Sequence, residues 1–95
     1  MKESVVEAYL RTQFLKLYPE GQIHKYTPRK SEPDRIMLLP GGFAVFVEVK
    51  RPKEVPRPDQ LRALDRLRNL GFRAEWVDSK TQIDILLNVL KEYHP

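Results

Sequence analysis

The hydrophobic positions of the N-terminal segment follow helical spacing. Glu3 to about Tyr18 predicts an amphipathic helix, which Pro19-Glu20-Gly21 ends. Glu3 and Glu7 lie on the apolar side of this helix, at its N-terminal end, rather than on the polar side. The apolar stripe consists of Val6, Leu10, Phe14 and Leu17.

The middle of the chain changes to strand-like patterns. Residues 22–26 predict a short strand, and the polar, proline-rich segment 27–33 predicts a loop. Two apolar runs, 36–39 and 43–50, flank Pro40-Gly41-Gly42 and predict a β-hairpin.

The C-terminal half predicts a helix, a strand and a final helix. The first helix begins at Pro58 and ends at Gly71, with an apolar stripe of Leu61, Leu64, Leu67 and Leu70. A strand over 72–77 places Phe72, Ala74 and Trp76 on one face, and Ser79 to Gln82 matches a capping box. The order α-β-β-β-α-β-α predicts an α/β fold around a mixed sheet.

Composition narrows the classes of function. A chain of 95 residues buries one modest core, so we expect one domain over 1–95. The absence of cysteine excludes disulfides, thiolate metal sites and a cysteine nucleophile. No apolar run is long enough for a signal peptide or a membrane span, so we expect a cytoplasmic protein without a membrane partner.

Positive charge is concentrated in one stretch. Residues 50–73 hold 8 basic and 3 acidic residues, although the formal net charge of the whole chain is only +4. This stretch predicts a surface that faces a polyanion such as DNA, with an ordinary solvated face as the alternative. The candidate DNA contacts in it are Arg51, Lys53, Arg57, Arg62 and Arg66.

The hairpin predicts a close pair of charged side chains. With a three-residue loop at 40–42, Asp34 falls opposite Glu48, whereas a two-residue loop would place Asp34 opposite Val49. Because opposed like charges destabilise a sheet, a divalent cation such as Mg²⁺ is the natural compensation. Lys50 shares a sheet face with Glu48; it could act on water or phosphate beside a metal, or merely form an ion pair within the strand.

These residues carry a family resemblance. Pro33-Asp34 followed by Glu48-Val49-Lys50 resembles the PD-(D/E)xK nuclease signature, and its surroundings resemble the virus-type replication-repair nuclease (VRR-NUC) family. The family pattern continues with an early helix Glu, a strand Lys and a Pro-x-Gln before a helix. The matching residues are Glu3 or Glu7, Lys25, Pro33-Asp34-Arg35, Glu48-Val49-Lys50 and Pro58-Asp59-Gln60. The chain departs from the family at Ser31-Glu32, which replaces Gly-Val and adds a carboxylate near the site.

The resemblance implies a restriction-endonuclease-like fold that hydrolyses phosphodiester bonds with one or two Mg²⁺ or Mn²⁺ ions. The implied metal ligands are Asp34, Glu48 and the carbonyl of Val49. Lys50 would be the catalytic lysine, and Glu3 or Glu7 would assist through water. Further candidates for DNA contact are Lys25, Arg35 and Gln60; an ordinary surface lysine is the alternative for Lys25, and an ordinary helical residue for Gln60.

The leading prediction is therefore a structure-specific DNA endonuclease. The resemblance implies similarity to Holliday-junction resolvases, action as a homodimer, and a role in DNA replication or repair in a bacterial or phage-infected cell, with possible protein partners there. A non-catalytic DNA-binding module or nuclease subunit of a larger complex is the competing hypothesis. A sequence-specific restriction nuclease is a third, but 95 residues leave little room for a recognition subdomain.

Overall fold

A computed structural model of the chain describes residues 1–95 and contains three helices and four strands. The helices are α1 (Glu3–Leu17), α2 (Pro58–Asn69) and α3 (Lys80–Tyr93). The strands are β1 (Gln22–Lys25), β2 (Arg35–Leu39), β3 (Phe43–Val49) and β4 (Arg73–Val77). This order confirms the predicted α-β-β-β-α-β-α arrangement. None of the helices is both long and apolar enough to cross a membrane.

The four strands form one mixed sheet in the order β1-β2-β3-β4. β1, β2 and β3 are antiparallel neighbours, and β4 lies parallel to β3 after the crossover through α2. Leu39 pairs with Phe43, which confirms the three-residue hairpin loop. Gly41 and Gly42 have φ angles of 90° and 86°, which side chains with a Cβ rarely adopt.

β3 separates two layers of different size. Its Val45, Val47 and Val49 point into a cluster of 15 buried residues that α1 and α3 cover. Phe46 points to the opposite side, where α2 covers a cluster of only four buried residues. The predicted alternation along β3 is therefore confirmed, and the charged positions of the hairpin lie on the side of the smaller cluster.

The predicted apolar stripe of α2 is wrong at both of its ends. Leu61 and Leu70 are 41% and 74% exposed, and the buried face of α2 consists of Gln60, Ala63, Leu64 and Leu67. The reason is geometric, because a strict three-residue spacing rotates by about 180° between Leu61 and Leu70 and cannot stay on one face. Phe72 precedes β4 and is 42% exposed, although its ring packs edge-on against Phe46.

Candidate active site

Asp34 is fixed to the end of the hairpin by main-chain contacts. Its carbonyl accepts a hydrogen bond from Tyr26 N–H at 2.9 Å, and its Oδ1 accepts one from Val49 N–H at 3.0 Å. Continuing the hairpin register by one residue places it opposite Glu48. Burial raises the pKa of Asp34, while the Val49 N–H and the Arg35 guanidinium oppose the rise. The carboxyl group is thus held where its charge is only partly compensated.

Glu48 is buried near the end of β3, with 5% of its surface exposed. Its Oε2 lies 3.4 Å from Lys50 Nζ and accepts a hydrogen bond of 3.4 Å from Gln60 Nε2, whereas its buried Oε1 has no partner. Burial, followed by the charge of Asp34, raises the pKa of Glu48 from 4.5 to about 7, against the opposing effect of Lys50. The positive charge of Lys50 therefore does not fully compensate the burial of Glu48 beside Asp34.

The two glutamates of α1 have different surroundings. Glu7 Oε1 lies 3.0 Å from Arg11 Nη2 and 3.4 Å from Arg35 Nε, so Glu7 is engaged in ion pairs. Glu3 is exposed and has no ion pair, and its negative charge contributes to the raised pKa of both hairpin carboxyl groups. Of the two, only Glu7 has cationic partners within the chain.

The donor set at the end of the hairpin suits a hard divalent cation. Two carboxylates with raised pKa values and an unpartnered buried oxygen provide negative charge that a cation would neutralise. No group of three or more His, Cys, Asp or Glu side chains is arranged as a metal site. The remaining ligands would therefore be main-chain carbonyls such as that of Val49, together with water, a combination that Mg²⁺ commonly has.

A cleft of about 370 Å³ opens beside the two carboxylates. Its lining residues are Tyr26, Thr27, Arg29, Lys30, Glu32, Asp34, Glu48 and Gln60. Arg29 and Lys30 are absent from the sequence-based candidates, although their position just before Pro33-Asp34 is a signal that could have identified them. Ser31 does not have a positive φ, so the serine fits this loop without left-handed backbone strain.

Two comparisons with known proteins find similar chains, and one of these is a domain of a named nuclease family. No protein-family model matches the chain. The protein named "Putative nuclease p44" of Acyrthosiphon pisum secondary endosymbiont phage 1 is 36% identical over 88 residues, which cover 90% of this chain and 92% of that protein. A solved structure described as a VRR_NUC domain matches with a TM-score of 0.80 and 35% identity, over 93% of this chain and 96% of that one. The chain belongs to the VRR-NUC family.

The basic residues of this VRR-NUC domain fall into paired and unpaired groups. Lys53 and Arg62 are exposed and form no ion pair within the chain. The other candidate contacts in the basic stretch are in the ion pairs Arg51–Glu54 (3.3 Å), Arg57–Asp59 (3.1 Å) and Arg66–Glu32 (3.6 Å). The pairs of Arg51 and Arg57 are exposed on both sides and contribute little to stability, so these two arginines could exchange an acidic partner for a phosphate at low cost.

Gln60 supports the site from beneath instead of facing solvent. It is 6% exposed, its Nε2 donates to Glu48, and its Oε1 accepts a 2.9 Å hydrogen bond from Arg57 N–H. The side chain connects the first turn of α2 to the buried carboxylate. The DNA contact predicted for Gln60 could use only the small exposed part of its side chain that lines the cleft, and it remains a prediction.

Arg35 and Lys25 face each other across β1 and β2 but have different surroundings. The Arg35 side chain is 15% exposed, and it donates to Glu7 Oε1 at 3.4 Å and to the Asp34 carbonyl at 2.8 Å. These contacts connect α1 to the hairpin and leave Arg35 little surface for the predicted DNA contact. Lys25 is exposed without an ion pair, so its predicted contact with phosphate remains a prediction.

Proposed function

We propose that this VRR-NUC domain is a divalent-metal-dependent, structure-specific DNA endonuclease. The observation that supports this most strongly is Glu48, a buried carboxylate opposite Asp34 with an unpartnered oxygen and Lys50 Nζ at 3.4 Å. Burial of two like charges costs folding free energy, and the fold alone gives no reason for that cost. A role of both carboxylates in phosphodiester hydrolysis would explain that cost.

Each residue of the site has a specific role in this proposal. Asp34, Glu48 and the Val49 carbonyl would hold one or two Mg²⁺ or Mn²⁺ ions. When bound, such an ion supplies positive charge for the phosphate and lowers the pKa of water. Lys50 Nζ, now shared with Glu48, would donate a hydrogen bond to the attacking water or to the phosphate oxygen on which negative charge develops. Glu3 would accept a hydrogen bond from that water and hold its orientation.

The surface around the site supports recognition of DNA shape instead of base sequence. Its exposed basic residues lie in the loop after β3 and on α2, where they can contact phosphates, and phosphate contacts do not discriminate between bases. We therefore include branched DNA, four-way junctions in particular, among the substrates. A second copy of the chain would cut the opposing strand, and the phage origin of one relative favours a role in phage or bacterial DNA replication or repair.

Cleavage assays on defined DNA structures test the proposal directly. The protein is incubated with four-way junction, flap, duplex and single-stranded DNA in Mg²⁺, in Mn²⁺ and in EDTA. We expect metal-dependent cleavage of the junction by paired nicks in opposing strands. Absence of cleavage of all four substrates with either metal would contradict the enzyme, and binding without cleavage would favour the non-catalytic DNA-binding module.

A further inference from the structure

Glu32 is a carboxylate buried beneath two exposed arginines from different parts of the fold. Its side chain is 8% exposed, although it lies in the polar loop between β1 and β2. Glu32 Oε1 accepts a hydrogen bond of 2.9 Å from Arg29 Nη2 in the same loop and lies 3.6 Å from Arg66 Nη2 on α2. A buried carboxylate requires such partners, because its charge is costly without them.

The two guanidinium groups are brought together by this one oxygen. The Arg29 and Arg66 side chains are 72% and 54% exposed, and both approach Glu32 through Nη2. A guanidinium has five N–H donors, so each arginine keeps several donors directed to solvent. Two positive side chains from separate elements would repel each other without the carboxylate between them. Their combined charge with Glu32 is still +1.

This arrangement lies at the edge of the candidate active site. Arg29 and Glu32 line the same cleft as Asp34 and Glu48, and so does Lys30. A phosphate bound by the two guanidinium groups would thus be close to a phosphate at the carboxylates. Guanidinium groups bind phosphate through paired, charge-assisted hydrogen bonds, which makes them suited to hold a DNA backbone at a defined position.

We propose that Glu32 is a positioning residue that holds Arg29 and Arg66 as a phosphate-binding pair next to the catalytic carboxylates. The pair binds a DNA phosphate next to the scissile one and thereby fixes the position of the DNA strand in the cleft. The inference rests on the proposed function, since it takes DNA as the substrate.

The direction in which one substitution changes the Kd for DNA distinguishes this positioning role from a purely electrostatic effect. Glu32→Gln removes a negative charge near DNA, so a purely electrostatic effect would tighten binding. Loss of positioning predicts the opposite, a Kd about fivefold higher for junction DNA, together with a salt dependence reduced by about one phosphate contact. Binding is measured in EDTA over a range of KCl concentrations, so that no cleavage occurs. A Kd for Glu32→Gln that is unchanged or lower than that of the wild type overturns the inference.

A double-mutant cycle adds a matched control on α2. Arg62 lies one turn before Arg66, is exposed and forms no ion pair. The effects of Glu32→Gln and Arg66→Ala on Kd should be strongly non-additive, whereas those of Glu32→Gln and Arg62→Ala should multiply. Additivity in both cycles would sink the positioning role, because Glu32 would then act independently of Arg66.

A second pair of variants covers the case in which Glu32→Gln does not fold. Arg66→Lys keeps the positive charge but loses the paired donors. Its control is Arg73→Lys on β4, because Arg73 is not among the candidate DNA contacts. We expect Kd to rise severalfold for Arg66→Lys and to stay unchanged for Arg73→Lys; equal effects contradict the inference. If the wild-type protein binds no DNA, the proposed function fails together with the inference. If it binds and cleaves DNA but the variants behave as their controls, only the inference fails.

Discussion

The two faces of β3 differ in what they contribute to the protein. The face with Val45, Val47 and Val49 is fully buried against α1 and α3 in the larger cluster. The opposite face has Phe46 in a small cluster under α2, followed by Glu48 and then Lys50 just beyond the strand, where the packing gives way to the cleft. Because side chains alternate along the seven residues of β3, one face of the strand packs in the core and stabilises the fold. The other face places the charged side chains, whose burial costs free energy, at the candidate active site.

The largest expected effect is on the charged face. Lys50→Ala should lower the rate of junction cleavage by about 100- to 1000-fold, since it removes a donor directed at developing negative charge. Binding of junction DNA should change little, whereas stability at pH 8 without metal should fall, because the buried Glu48 carboxylate loses its cationic partner. Single-turnover cleavage at saturating Mg²⁺ measures the rate, with Lys91→Ala, at an exposed lysine on α3, as the control. A Lys50→Ala variant with near wild-type activity would remove Lys50 from the mechanism.

The second effect is on folding stability and arises from the ionisation of Glu48 on the same face. The pKa of Glu48 is raised from 4.5 to about 7 in the folded protein, so its ionisation destabilises the fold. Without metal, the wild type should therefore lose stability as the pH rises from about 4.5 to about 7, and the loss is complete above that range. Glu48→Gln does not ionise and should be more stable than the wild type at pH 8, by on the order of 3 kcal/mol.

Urea denaturation at pH 4 and pH 8 measures this difference, and Mg²⁺ provides the control. The two proteins should have nearly equal stability at pH 4, where the wild-type side chain is also neutral. Added Mg²⁺ should stabilise the wild type at pH 8 and leave Glu48→Gln unchanged, because ligand binding to the native state alone adds stability. A wild type that is the more stable protein at pH 8 without metal would refute the assigned cost.

The third effect is on the apolar face. Val47 is 0% exposed in the larger cluster, and Val47→Ala should reduce the free energy of unfolding by about 2–3 kcal/mol through lost burial and a small cavity. Cleavage per folded molecule should stay near the wild-type rate at a temperature below the transition. Val55→Ala is a matched control, since Val55 is 68% exposed and its truncation removes little buried surface. A loss of catalytic rate without a loss of stability would mean that the two faces are not separate.

The sequence predicts the local features of the hairpin but not the tertiary contacts of the polar side chains on α2. The alternation of β3, the three-residue hairpin loop and the opposition of Asp34 and Glu48 could be predicted because each depends on local spacing and turn chemistry. The surroundings of Gln60 and Arg66 could not, since their partners are Glu48 and Glu32, which reach them only through the packing of α2 on the sheet. Tertiary contacts of polar side chains leave no periodic signal in a sequence.

The smallest expected effect is at Gln60, which links the first turn of α2 to the Glu48 carboxylate on β3. Gln60→Met keeps an unbranched side chain but removes the donor to Glu48 and the acceptor for Arg57 N–H. We expect a loss of about 1–2 kcal/mol in stability and about tenfold in cleavage rate, because buried polar groups are left without partners and the carboxylate is less firmly held. Asp59→Asn, on the exposed side of the same turn, is the control.

The affinity for DNA distinguishes support of Glu48 from a DNA contact by Gln60. A residue that holds the carboxylate should leave the Kd for junction DNA unchanged in EDTA, and higher Mg²⁺ concentrations should recover part of the lost rate, since both metal-ligating carboxylates are still present. A residue that contacts phosphate should raise Kd and reduce the salt dependence of binding, with no recovery by Mg²⁺. Because Gln60 is 6% exposed with both ends of its amide in use, we expect the first result. The stability of α2 and the chemistry of β3 would then depend on one amide group.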